Sequence, residues 1–445
     1  MTSPVEVQPD EQAKTTVGNY FVANYPPFSF WKPERRGEVF TALAQPPLSG
    51  TPLGIYVHLP FCRKRCHFCY FRVYTAAGAK RDRVAAYVDA VLHELQLYAQ
   101  TPLVSGRHPR YVYFGGGTPS FLSVEQLTQL FTGMKRLLPW DDVEEVTFEC
   151  EPGTLTDEKL QALRELGVTR LSLGIENFDD EILRSNGRAH LSKEIYRAYQ
   201  FARSIDFKQI NVDLIAGMLN ETAANWQQCI RKVIDLAADC VTIYQMEIPF
   251  NTTIYRQMHE RGEIVAPVAD WPTKRAWVHD AYAELERAGY TVSSAYTAVR
   301  DPQAFRFLYR DYLWKGADMV SLGLSSFGHF RGTHYQNEKD IGPYLDRLGN
   351  GELPIHRALA MTEDEKLIRE VILQMKLGGL DRNYFREKFA TDILTRFAVP
   401  LAKLGDAGFV TIVGDRVLLD RQGLLRVDEL LGEFFLPQHV HVRYT

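Results

Sequence analysis

Three cysteines crowd into one short stretch, Cys62-Arg63-Lys64-Arg65-Cys66-His67-Phe68-Cys69. Thiolates are the soft ligands that hold iron–sulfur clusters, and three of them serve a four-iron cluster incompletely, leaving one iron open to a reactant. The neighbouring cations Arg63, Lys64 and Arg65 favour the thiolate forms. A structural zinc ion would close its tetrahedron with a fourth Cys or His. The one local histidine, His67, adjoins Cys66, where its side chain has difficulty sharing a metal with all three thiols. Cys150, Cys229 and Cys240 stand apart in sequence and read as buried thiols without chemistry. Two further features carry chemistry: the run Gly115-Gly116-Gly117-Thr118-Pro119, whose bare backbone lets a ligand approach closely, and Glu149, a carboxylate at the end of VTFE that suits an ammonium partner.

The elements that must position these residues alternate. From Gly54 onward the strand-like runs IYVHLP, YVYF, VTFE, RLSLG, QINVDLI and CVTIYQM are each followed by a helical pattern. In the first helix Val84, Tyr87, Val88, Val91, Leu92 and Leu95 fall on one face. Apolar strands separated by helices imply parallel pairing with right-handed crossovers, and the repeated β-α units predict a partial (β/α)6 barrel. Such barrels place chemistry at the carboxyl ends of their strands, where Cys62, Gly115 and Glu149 all fall.

The chain of 445 residues is 45% hydrophobic and 24% charged, enough for a full catalytic core and a smaller domain. A net charge of -4 without a long Lys/Arg run offers no footprint for nucleic acid. Residues 1–13 lack the apolar core of a secretory signal and no stretch is long and apolar enough to span a bilayer, so no membrane partner and a cytoplasmic location are expected. Residues 1–53 form an N-terminal extension whose aromatic run NYFVANYPPFSFW is either a strap over the barrel or packing against its outside. The barrel is predicted over 54–295 and a barrel-covering segment over 296–359. A small winged-helix-like α+β domain is predicted over 360–445, opened by a capping box at Thr362 and Glu365 and carrying a hairpin at Gly414-Asp415.

The CxxxCxxC spacing after a strand resembles the radical S-adenosylmethionine (SAM) superfamily. The motifs YVHLPFC, YFGGGTPS, FECEPGTL, RLSLGIENF and NVDLIAGM resemble the oxygen-independent coproporphyrinogen III oxidase family across nearly the whole chain. The resemblance implies a 4Fe-4S cluster on Cys62, Cys66 and Cys69, with S-adenosyl-L-methionine on its open iron, cleaved to a 5'-deoxyadenosyl radical. It also implies a low-potential electron donor such as flavodoxin or ferredoxin. By the same resemblance Tyr56 and Phe68 lie beside the bound SAM, Gly116 at its backbone contacts, Glu149 at its amino group and Phe327 on its adenine side. Members that bind a second SAM use positions matching Gly117, Thr118, Glu176, Arg188, Asp213 and Glu247.

Departures from the family bear on the substrate. The family usually has Gln at the position of Glu176 and a short or apolar residue at that of Glu247; each acid here removes donors or adds charge that suits a cationic substrate or an amine instead. The porphyrinogen-decarboxylating members carry an extra cysteine two positions after the cluster motif, where this chain reads Cys69-Tyr70-Phe71. The expected ligand is a small molecule, large and polycyclic, with oxidative decarboxylation of a tetrapyrrole in porphyrin biosynthesis as the leading activity. The alternatives are a two-SAM radical methyltransferase or cyclopropanase, and a haem-binding chaperone with His329, His334, His439 and His441 as axial ligands. No individual catalytic residue is assigned from the sequence.

Overall fold

The computed structural model describes residues 15–16, 18, 20–75, 78–262 and 267–440; His441 and residues 1–13 lie outside them. Six strands, β1 (Leu53–Leu59), β2 (Tyr111–Gly116), β3 (Glu145–Cys150), β4 (Arg170–Glu176), β5 (Gln209–Ala216) and β6 (Cys240–Gln245), lie side by side in sequence order, all parallel. Helices cross between them. The helix Arg81–Ala99 buries Val84, Tyr87, Val88, Val91 and Leu95, the face that the apolar period marks. This is the expected partial (β/α)6 barrel of the radical SAM type.

The sheet continues beyond the six units. On the β6 side, β7 (Thr291–Val292) and β8 (Thr297–Val299) run antiparallel, with β8 against β6. On the other side β9 (Asp318–Leu322) pairs parallel with β1, and β10 (Phe327–Phe330), β11 (Thr333–Asn337) and β12 (Ile355–Ala360) extend the sheet antiparallel to twelve strands. Segment 296–359, read from the sequence as a cover, therefore builds the sheet itself. Its short strands escape notice because each is too brief to show a period.

The helix Glu363–Met375 opens with the predicted capping box between Thr362 and Glu365. Beyond it β13 (Gly379–Asp381), β14 (Val410–Val413) and β15 (Arg416–Leu419) form a three-stranded sheet in the order β13-β15-β14, the last two joined through Gly414 at φ +59°. Winged-helix-like in layout, this α+β module has its own apolar core. Val22 and Tyr25 of the N-terminal segment are buried in that core, while Trp31 stacks on His334 with centroids 4.8 Å apart. Tyr20 and Phe21 of the aromatic run line the barrel cavity.

Candidate active site

A cavity of about 460 Å³ runs along the barrel axis. Cys62, Cys66 and Cys69 on the β1 loop line it, together with inward-facing residues of β2–β6, Tyr20 and Phe21 of the N-terminal segment, and Leu425, Arg426, Asp428 and Glu429 of the C-terminal module. Cys62 N donates to Tyr74 O at 3.1 Å and Tyr74 N to Pro60 O at 2.7 Å, so the thiol loop is closed at its base. Thr118 Oγ1 donates to Cys62 Sγ at 3.3 Å, and Arg188 Nη1 donates to Cys66 Sγ at 3.0 Å. Burial pushes the Cys62 thiol up to about 12 and the Cys69 thiol up to about 11, so a bound metal would have to displace their protons.

Of the three loop cations, Arg65 favours the Cys69 thiolate through its charge. Arg63 donates to Gly153 O at 2.6 Å, and Arg65 donates to the carbonyls of Cys69 and Asn251. Arg188, from the connection between β4 and β5, joins Arg65 in that role. The three thiols share one loop and one cavity, yet among the described residues no group of three or more His, Cys, Asp or Glu converges on a single metal ion. Three thiols, each facing a hydrogen-bond donor (Thr118, Arg188 and the Phe71 amide), fit a multi-iron cluster, whose ligands stand around a cube rather than about one point.

The glycine run does something narrower than expected. Gly116 sits at φ +109°, where a Cβ would meet the His58 ring at 2.5 Å, and a Cβ on Gly117 would strike Leu59 O at 2.9 Å. The absent side chains let β2 close against the end of β1 and its thiol loop. The amides of the run are used inside the protein: Gly116 N donates to Glu149 Oε2, Gly117 N to Leu59 O and Thr118 N to Phe61 O. They are not vacant donors waiting for a ligand.

Glu149, next to last in β3, accepts from Tyr113 OH at 2.6 Å. Burial raises its carboxyl to about 7. Glu176 ends β4 at φ +66°, beside a register shift between β4 and β5. Such irregularities re-aim side chains near sites, and this residue lines the cavity, 3.6 Å from Arg188 Nη2. Its carboxyl is also pushed up to about 7, chiefly by burial against the pull of Arg188. Asp213 accepts from Ser172 and Asn211, and Glu247 accepts the Tyr20 amide at 3.1 Å. Phe68, Gly116, Gly117, Thr118, Glu149, Glu176, Arg188, Asp213 and Glu247 all line this one cavity.

Two expected residues do not. Tyr56 points its hydroxyl to His58 Nδ1 at 3.1 Å and stacks on Tyr113, one layer behind the cavity wall. Phe327 packs between Phe28 and Trp31, because β10 lies beyond β9 in the sheet. Of the histidines offered as haem ligands, the three described, His329, His334 and His439, are likewise engaged elsewhere. His334 Nε2 donates to Tyr25 O at 3.0 Å while its Nδ1 faces His329 Nδ1 at 3.2 Å, and His439 Nδ1 bonds Tyr25 OH at 2.7 Å. Arg170, Tyr113 and Asp428 line the cavity without having been singled out. Arg170 was findable, since counting back by twos from Gly174 along RLSLG reaches it on the same face.

The family profile for the radical SAM superfamily matches residues 56–233. This part of the chain resembles a radical SAM domain. Among curated relatives, this chain is 28% identical over 385 residues to the haem chaperone HemW of Bacillus subtilis, covering 85% of this chain and 98% of that one. It is also 28% identical over 400 residues to the oxygen-independent coproporphyrinogen III oxidase of Helicobacter pylori (strain J99), covering 86% of each. Its fold matches that of coproporphyrinogen III oxidase (HemN) from Escherichia coli with a TM-score of 0.79 at 23% identity, over 95% of this chain and 99% of that one. Among the described residues, no helix is long and apolar enough to cross a membrane.

Proposed function

We propose that this protein is an enzyme that holds a 4Fe-4S cluster on Cys62, Cys66 and Cys69 and binds S-adenosyl-L-methionine in the cavity beside it. The observation that carries the reading is the pairing of that thiol loop with hydrogen-bond donors, Thr118 and Arg188, at the mouth of a barrel cavity. Held by Cys62, Cys66 and Cys69, such a cluster would supply the one-electron reduction of S-adenosyl-L-methionine that opens radical chemistry on the substrate. Glu149, near the end of β3, would receive the ammonium of the methionyl group, and that incoming cation would draw its carboxyl down from about 7 to the charged form. Tyr20, Phe21 and Tyr296 wall the cavity and keep water from the radical.

The substrate is a large polycyclic molecule, with oxidative decarboxylation of a tetrapyrrole as the leading activity. Similarity over most of the chain to enzymes named for coproporphyrinogen III supports it. A low-potential donor of the flavodoxin or ferredoxin type in a reducing, cytoplasmic setting would supply the electron. The second reading, haem delivery, is favoured by the likeness to HemW and by Phe71 standing where the decarboxylating members have cysteine. A second SAM on Glu176, Arg188, Asp213 and Glu247, for alkyl transfer, is the third.

The deciding experiment is anaerobic reconstitution with iron and sulfide, reduction by dithionite, and chromatography of products with and without coproporphyrinogen III. A rise in 5'-deoxyadenosine together with decarboxylated porphyrinogen upholds the leading reading; the nucleoside with untouched porphyrinogen moves the substrate elsewhere; a haem Soret band without turnover favours delivery. Cys66→Ala should lose iron and the brown colour, whereas Cys229→Ala, buried in the core, should keep both.

A further inference from the structure

Arg170 opens β4 and is 2% exposed, yet neither its Nε nor its Nη1 has a hydrogen-bond partner among the described residues. It lines the main cavity and also a smaller one of about 160 Å³ at the barrel floor. The Phe307 ring lies against the guanidinium, its centroid 4.1 Å from Cζ, and fixes its plane.

The acids whose charges reach Arg170 are each satisfied by other donors. Glu145 accepts from Thr147 Oγ1 at 2.9 Å and Leu308 N at 2.7 Å. Asp213 accepts from Ser172 and Asn211, and Glu149 from Tyr113 and Gly116. Burial raises all three carboxyls and so biases them toward their neutral forms, while a guanidinium does not give up its proton. A buried charge with unmet donors is costly, and the fork of an arginine matches a carboxylate in both shape and charge.

We propose that Arg170 binds a carboxylate of the ligand at the floor of the cavity. The inference deepens the reading of this cavity as the substrate site and rests on it. Arg170, Ser172, Gly174 and Glu176 line the cavity from one end of β4 to the other, about 20 Å of strand, so the ligand is elongated or carries peripheral arms. A monoanion is favoured over phosphate because one guanidinium faces three acids there.

The test titrates coproporphyrin III and its tetramethyl ester into the anaerobically reconstituted holoprotein, following absorbance, for the wild type, Arg170→Met and Arg170→Lys. The free acid should lose about 10- to 100-fold in affinity in Arg170→Met while the ester is little changed, with Arg170→Lys between. Equal losses for acid and ester, or no loss in either, would overturn the inference. Should Arg170→Met not fold, Arg170→Lys carries the comparison alone. Should neither porphyrin bind, propionate and propionamide are compared by thermal midpoint. A rise with propionate alone, absent in the variant, upholds a carboxylate site although the tetrapyrrole reading has failed; no carboxylate-specific rise in the wild type overturns the site. Conversion of coproporphyrinogen III by Arg170→Met at unchanged KM would overturn the inference and leave the tetrapyrrole reading standing.

Discussion

Arg188 donates from Nη1 to the Sγ of Cys66 at 3.0 Å, across 122 residues of chain. A charged donor on a ligand sulfur stabilises the more negative, reduced state of an iron–sulfur centre. Arg188→Met should therefore lower the cluster's reduction potential by about 60–130 mV, the equivalent of one charge-assisted hydrogen bond. A potentiometric titration followed by electron paramagnetic resonance reads this directly, and an unchanged potential would remove Arg188 from the tuning of the cluster.

Glu176 sits beside the same arginine, its carboxyl lifted to about 7 by burial and only partly drawn back by Arg188. Glu176→Gln restores an amide donor and removes a charge that Asp213 and Glu149 repel. Calorimetry should then show tighter binding of a second SAM molecule. One bound molecule in both wild type and variant would end the two-SAM reading.

Asp428 joins three parts of the molecule. It accepts the Val22 amide at 2.9 Å, pairs with the buried Lys376 at 2.7 Å and takes the Tyr296 hydroxyl. Asp428→Ala strands the ammonium of Lys376 away from water, and urea denaturation should show a loss of about 3–5 kcal/mol. Asp428→Asn, which keeps an acceptor, should lose less.

Glu94 is buried in the helix Arg81–Ala99 and accepts from Gly323 N at 2.8 Å, Tyr344 OH at 2.6 Å and Asn337 Nδ2 at 2.6 Å. Burial outweighs these donors and raises its carboxyl from 4.5 to about 8. The folded state then holds an extra proton between those values, so stability falls as pH rises through that window. Glu94→Gln should flatten the fall. Thermal midpoints of both proteins at pH 5 and pH 8 check it, and parallel slopes would show that Glu94 does not titrate there.

What the sequence made legible was local. The thiol motif, the strand ends carrying Glu149 and Glu176, the capping box at Thr362 and the turn at Gly414 each lie within a few residues of the signal that marks them. The contacts that decide chemistry join distant segments, and no period announces them: Arg188 to Cys66, Tyr20 to Glu247, His58 beneath Gly116. Phe327 was placed at the cavity because its motif resembles a family contact, but β10 stands on the far side of β9, and its ring is spent on Phe28 and Trp31. Arg170 went unnoticed because a charged residue opening a strand looks like ordinary surface until the barrel closes around it.

The pairing of β1 with β9 has a consequence for how the molecule is made. The strand that ends in the thiol loop gains its second neighbour only when residues 318–322 arrive, so its backbone edge stays open through most of synthesis. Pairings this distant in sequence make folding slow, and an open edge recruits strands from other chains meanwhile. Recovery of native protein is therefore set by the race between sealing that edge and aggregation. Slower, cooler expression should shift that race toward sealing.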